Sequence, residues 1–243
     1  MANRNRPRKY KSKMPVRKRR KRKVSLVKRC FYSILAGISI VGIFYGIVAI
    51  TENSQPSISG AKITNPSLLT EERPFDIVYG NDNAPITIVE YASLTCGHCK
   101  MFYNNVVVPL KSSFIESGKV RLVYRDYPLN KPALEASMLL SCLPSNIERR
   151  QIIGKLFSAK DEWRSSHAED NVPGTLRAIF SILSDEEYTA CLDDTVRQDN
   201  LLKEKMRAQK ELSIKSTPTI FINGELYRGR RTIEAISRAI EKY

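Results

Sequence analysis

Cys96-Gly97-His98-Cys99 is the stretch of this 243-residue chain whose residue types and spacing most directly suggest chemistry. Two thiols one helical turn apart lie close enough to close a disulfide and to reopen it. If Cys96 opens a helix, its sulfur faces unsatisfied backbone N–H groups and the positive end of the helix dipole. Both favour the thiolate, which is the nucleophile and the better leaving group. Cys99 can then attack a mixed disulfide from within. His98 can stabilise the thiolate further, as a cation or through a hydrogen bond, which favours the reduced form and makes the disulfide more oxidising. Other chemistries fit less well. A zinc site would need a second half, yet Cys142 and Cys191 stand 49 positions apart and no histidine clusters with them. Haem attachment would need a histidine after the second cysteine, where this chain has Lys100. A purely structural bridge over so short a loop would constrain little. No metal and no cofactor beyond the redox-active disulfide is therefore expected.

The elements around this motif are those needed to hold it. PITIVEY, residues 85–91, is β-branched and apolar on both faces, which predicts a buried central strand. PFDIVYG before it predicts a short strand closed by Gly80. Residues 97–117 predict a helix kinked at Pro109 and capped by Gly118. VRLVY, residues 120–124, predicts a second buried strand, and strand, crossover helix, strand favours parallel pairing. A helical stretch follows. It runs over 132–143, then through a helix opened by the capping box Ser145/Glu148, then 174–183, then a helix opened by Ser184/Glu187, then an amphipathic helix over 196–212. TIFI, residues 219–222, meets Asn223-Gly224, a strong hairpin signal, and 225–228 pairs back. Thr232 caps a last helix with Ile233, Ile236 and Ile240 on one face.

Charge is unevenly placed. The net +15 belongs to residues 1–30, which hold 15 Lys and Arg and no acid, while the remaining residues hold 25 of each sign. A nucleic-acid-binding globular domain is not demanded by that pattern, and 42% hydrophobic residues exclude a wholly disordered chain. Residues 31–50, FYSILAGISIVGIFYGIVAI, carry no charge and no proline. As a helix they would span about 30 Å, the hydrocarbon thickness of a bilayer. The expected reading is an uncleaved transmembrane anchor. The second reading is a cleaved signal, against which the long apolar core and a poor cleavage site argue. The positive-inside rule then keeps the basic tail cytoplasmic and exports everything from Thr51 onward. The tail suits anionic lipid. Nucleic acid fits it less well, because only Tyr10 could stack on bases. Residues 51–73 read as a polar linker. Four cysteines follow the anchor, an even number that suits an oxidising compartment.

In combination, YGNDNAPITIVEYASLTCGHCKMFYNNVVVPL, GKVRLVYRDYPLN and STPTIFINGELYRG resemble DsbA-type thiol:disulfide oxidoreductases of the thioredoxin superfamily, over roughly 75–240. The resemblance implies an α/β thioredoxin-like fold from 74–130 and 213–243, with an all-helical insertion at 131–212 and one transmembrane helix before it. It implies that Cys96 attacks and Cys99 resolves, with His98 tuning the pair. Pro218 corresponds to the superfamily's cis-proline, Thr217 to the residue whose backbone pairs with an extended substrate, and Gly97 lies at the same surface. Glu90, six residues before Cys96, corresponds to a buried acid proposed to assist proton transfer; its plainer reading is a polar strand end. Gly97 stands where the family usually has proline, and Thr217 where valine is familiar. Strong oxidants and isomerases differ by about 60 mV, roughly 3 kcal/mol, so the poise stays open.

Cys142 and Cys191 fall in the insertion. A structural disulfide there would close a loop worth about 4 kcal/mol by the chain-entropy model. Two buried free thiols and a second redox site are the other readings. The resemblance further implies exported cysteine-containing polypeptides as substrates, a DsbB-like membrane reoxidant, and a bacterial inner-membrane location with the catalytic domain in the periplasm. An isomerase or reductase on the same scaffold, or a non-catalytic binding module, are the rival functions.

Overall fold

The computed structural model describes residue 69 and residues 71–164 and 173–243. The expected tail, anchor and most of the linker lie outside the described residues, as do Cys30 and His167. Among the described residues, no helix is long and apolar enough to cross a membrane.

Five strands form one sheet in the order β1-β3-β2-β4-β5. They are β1 (Ile77–Tyr79), β2 (Ile86–Ala92), β3 (Val120–Asp126), β4 (Thr219–Ile222) and β5 (Glu225–Leu226). β2 and β3 are parallel, with Glu90 opposite Tyr124, while β1–β3, β2–β4 and β4–β5 are antiparallel. Alternation divides the sheet between two cores. Ile77, Ile88, Leu122, Tyr124, Ile220 and Ile222 face one side. Val78, Val89, Tyr91, Val123 and Phe221 face the other. Each fully buried aliphatic side chain contributes about 1.5–3 kcal/mol through loss of water-exposed apolar surface. Two turn sites depend on their residue types. Gly80 lies at φ +94°, and a Cβ there would meet the Val120 carbonyl oxygen at 2.5 Å. Asn223 and Gly224 both have positive φ, as the tight hairpin turn requires.

The helix after Cys96 differs from the expected single kink. It starts as α1 (Gly97–Phe102), widens into a π-helical turn at Tyr103–Val107, tightens in α2 (Val108–Leu110) and widens again at Lys111–Ile115. Pro109 has no N–H to offer the preceding turn, and wide turns flank it on both sides. Between β3 and β4 the described chain is helical: α3 (Lys131–Cys142), α4 (Asn146–Ser158), α5 (Lys160–Arg164), α6 (Pro173–Ile179), α7 (Asp185–Asp193) and α8 (Thr195–Glu211). Both capping boxes form, at Ser145/Glu148 and Ser184/Glu187. α5 was not expected. It exists to bury Trp163, whose indole N–H donates to the Leu156 carbonyl at 2.8 Å. The helix expected over 174–183 stops at Ile179, where Phe180 and Leu183 turn inward instead. The strand expected over 225–228 ends at Leu226. α9 (Ile233–Ile240), capped by Thr232, packs Ile236, Ala239 and Ile240 against the core that also holds α1.

Candidate active site

β2 delivers Cys96 to the start of α1. Its backbone is extended (φ −80°, ψ 121°), so the helix begins one residue later and Cys96 is its N-cap. Cys96 is partly exposed, Gly97 and His98 are exposed, and Cys99 is fully buried one turn on. A Cβ on Gly97 would meet nothing within 4 Å. The Cys96 thiol is pulled down to about 5, chiefly by hydrogen bonding with the Cys99 thiol. Partial burial opposes this, while Thr217 and the N–H groups of Cys99 and His98 assist. Those N–H groups act on the sulfur without closing a capping hydrogen bond. Burial and the shared hydrogen bond push the Cys99 thiol far up, and a charge on Glu90 pushes it further. The two sulfurs are thereby separated into one that ionises readily and one held as a thiol.

Thr217–Pro218 is a cis peptide bond that closes over the pair. The Cys96 thiol lies 3.5 Å from the Thr217 carbonyl oxygen, to which it can donate. The Thr217 hydroxyl is buried with no other hydrogen-bond partner and lies near enough to favour the thiolate. Glu90 sits in mid-sheet, 1% exposed, between Tyr124 on β3 and Ile220 on β4. Its Oε1 finds no hydrogen-bond partner. Burial first, and then the negative charge of Cys96, push its carboxyl up to about 8; Arg231 pulls the other way. Glu90 is thus a neutral acid at pH 7, facing the buried thiol.

The structure therefore brings Cys96, Cys99, Glu90, Thr217 and Pro218 together. His98 contributes its backbone, while its imidazole faces solvent. Cys142 and Cys191 lie elsewhere, bonded to each other between α3 and α7 with S–S 2.01 Å. Among the described residues, no group of three or more His, Cys, Asp or Glu could hold a metal ion. Two contributors escaped sequence reading. Arg231 acts on Glu90 across the site; the clustering of Arg228, Arg230 and Arg231 after the hairpin was the available signal. Lys100, next to Cys99, reaches across to α4 and donates to the Ser158 carbonyl at 3.1 Å, holding α1 against the helical region.

The model of the thioredoxin family matches residues 72–242, more than half of the chain. The chain belongs to the thioredoxin family. Within this family it is similar to the solved structure of Wolbachia pipientis alpha-DsbA1, with TM-score 0.66 and 29% identity, covering 74% of this chain and 95% of that one. A Rickettsia conorii relative, provisionally named a protein-disulfide oxidoreductase, is 27% identical over 191 residues. The match covers 79% of this thioredoxin-family chain and 66% of that relative, just under two thirds of its length. Disulfide bond formation protein D of Bacillus subtilis is 23% identical over 198 residues, covering 79% of this chain and 83% of that protein. The DsbA-type resemblance and the α/β thioredoxin-like fold expected from sequence are both met.

Proposed function

We propose that this chain is a thiol:disulfide oxidoreductase that oxidises thiols of exported polypeptides through Cys96 and Cys99. The supporting observation is the division between an accessible, acidified Cys96 at a helix start and a buried, protonated Cys99 beneath it, under the loop of Thr217 and Pro218. In the oxidised enzyme a substrate thiolate attacks the Cys96 sulfur, the Cys96–Cys99 bond breaks, and Cys99 leaves as a thiolate. The neutral carboxyl of Glu90 supplies the proton that Cys99 takes up. A second substrate thiol, deprotonated by solvent, attacks the substrate sulfur of the mixed disulfide. Cys96 leaves as the stable thiolate. Two electrons have moved from substrate to enzyme, and the substrate holds the new disulfide. Thr217 aligns the extended substrate through its backbone, and exposed Gly97 and His98 leave the approach to Cys96 open.

Within this reading residues 31–50 anchor the chain in the inner membrane as a single pass. Residues 1–30 stay on the cytoplasmic side against anionic lipid, and 74–130 with 213–243 carry the redox site in the periplasm. The helical part, 131–212, is held by the Cys142–Cys191 disulfide. A DsbB-like membrane protein withdraws the electrons and restores the Cys96–Cys99 bond. Oxidation of a reduced, unfolded protein by catalytic amounts of this chain, with glutathione disulfide supplied to reoxidise Cys96 and Cys99, tests the proposal. The wild type should form substrate disulfides and Cys96→Ala should not. Full activity in Cys96→Ala would overturn it. The equilibrium potential against glutathione separates an oxidant from a reductase. A value near that of thioredoxin, about −270 mV, would favour the latter.

A further inference from the structure

Next to the Ser216–Pro218 loop the surface opens into a groove of about 720 Å³, bounded by the end of α8, the segment 212–216, the start of β4 and the residues after β5. Ser216 and Thr219, the residues flanking Thr217 and Pro218 in the chain, line it, and the Thr217 carbonyl oxygen lies 3.5 Å from the Cys96 thiol. Its rim is basic: Lys210, Lys215, Arg228 and Arg231 are all exposed and line it. Glu211 is the one acid in the lining, and it pairs with Arg207 at 3.5 Å, which removes it as a counterion for the groove. Lys210, Lys215 and Arg231 form no ion pair with a described carboxylate. Residues 31–243 as a whole are electrically balanced, with 25 charges of each sign, so this cluster is a local excess of positive charge.

The groove is also preformed. The Tyr227 hydroxyl donates to the Arg230 carbonyl at 2.9 Å, and its ring lies so close to Gly229 that a Cβ there would meet the hydroxyl oxygen at 2.4 Å. That packing holds the turn carrying Arg228 and Arg231 against the wall. β5 is only two residues long, so the sheet edge beyond Leu226 does not cover the opening. An extended chain laid along the Thr217 backbone would continue from the reacting sulfur directly into this basic channel.

We infer that the groove receives an acidic stretch of polypeptide adjoining the substrate's reacting cysteine, so that the site selects substrates with Asp or Glu beside that cysteine. This deepens the dithiol-exchange reading and rests on it. Cations on the rim attract the acidic segment, raise the encounter rate and hold it in register, in a manner that salt weakens.

The test uses the full chain and two model dithiol peptides, identical except that three Asp or three Lys flank the reacting cysteine. At low ionic strength the Asp peptide should be oxidised about tenfold faster than the Lys peptide, and added salt should narrow the gap. Lys210→Glu/Lys215→Glu should erase or invert the preference while leaving reaction with the small uncharged dithiol dithiothreitol unchanged. Lys210→Gln/Lys215→Gln should give an intermediate preference and guards against misfolding of the double reversal. Equal rates for both peptides in the wild type, or a preference that survives in both variants, would overturn the inference. Versions of the peptides with serine for cysteine, followed by fluorescence anisotropy, read the groove without any exchange chemistry. The variants share the basic N-terminal segment with the wild type, so the difference between them belongs to the groove. Failure to react even with dithiothreitol would instead overturn the exchange reading, and anisotropy would still decide for or against the groove.

Discussion

Replacing Glu90 with Gln removes one ionisable group from mid-sheet and should change how stability depends on pH. The carboxyl rises from 4.5 to about 8 through burial and the Cys96 charge. At about 1.4 kcal/mol per pH unit, ionising it inside the folded domain costs on the order of 5 kcal/mol. Its folded value lies above its unfolded one. The stability linked to this group is therefore complete below about pH 4.5 and is lost as pH rises to about 8. Glu90→Gln escapes that loss. The variant-minus-wild-type stability should thus be flat below about pH 4.5, climb by about 1.4 kcal/mol per pH unit, and level off above about pH 8, with roughly 3 kcal/mol of the climb reached at pH 7. Cys96 titrates in the opposite sense, gaining stability as pH rises from about 5. It is present in both proteins and leaves the difference largely intact. Urea unfolding of reduced protein at half-unit pH steps measures the curve. A difference that does not change between pH 5 and 8 would refute the placement of a neutral Glu90 beneath Cys99. In the oxidised protein the Cys96 charge is gone, so the upper limit of the climb should move to lower pH.

Three other perturbations have definite expected outcomes. Alkylation of reduced protein by iodoacetamide, read at Cys96 by peptide mass mapping so that Cys30, Cys142 and Cys191 are scored apart, should show an inflection near pH 5, with about 99% thiolate at pH 7 against a few per cent for an ordinary cysteine; an inflection near 8 at Cys96 would contradict the site geometry. Asp76→Ala should cost about 3–5 kcal/mol in urea unfolding, because it strips the buried Arg125 guanidinium of two short bonds, at 2.6 and 2.7 Å. Ser213→Gly should stabilise the protein by roughly 0.5–1 kcal/mol, since Ser213 ends α8 in the left-handed region at φ +54°. A lower urea midpoint for that variant would show that the Ser213 side chain matters more than its backbone.

Local signals in the sequence spoke for local structure. Asn223-Gly224 specified a hairpin because only a few residue types tolerate two positive φ angles in succession. The two Ser-x-x-Glu pairs marked helix starts because both partners lie within one turn. The strand, CxxC and helix order placed Cys96 at a helix start with Cys99 one turn on. What escaped was set by distant partners. The Asp76–Arg125 pair joins residues 49 apart and also engages Tyr91 and the Glu71 carbonyl, and neither residue looks unusual in its own neighbourhood. α5 is driven by the burial of one tryptophan against a preceding helix turn, a tertiary effect invisible to periodicity. Arg231 comes within electrostatic range of Glu90 only because the hairpin folds back beside β2. Glu90 reads equally well as a strand end until its unpartnered oxygen and its neighbours across β3 and β4 are placed.

The two π-helical turns around Pro109 make the redox helix unusually sensitive to its own length. Each such turn carries one residue more than an α-helical turn would. Removing one residue from Tyr103–Val107 would restore an α-helical ladder locally, yet it would rotate everything beyond by about 100° about the helix axis. Leu110 and Ile115 would swing away from the sheet, while Cys96 and Cys99, upstream, would keep their places. The surplus residues therefore act as a phase correction. They let one continuous helix present Cys99 and Phe102 to the core in its first turns and Leu110 and Ile115 to the same core in its last. Sequence change along this stretch is constrained in number of residues more tightly than in their identity.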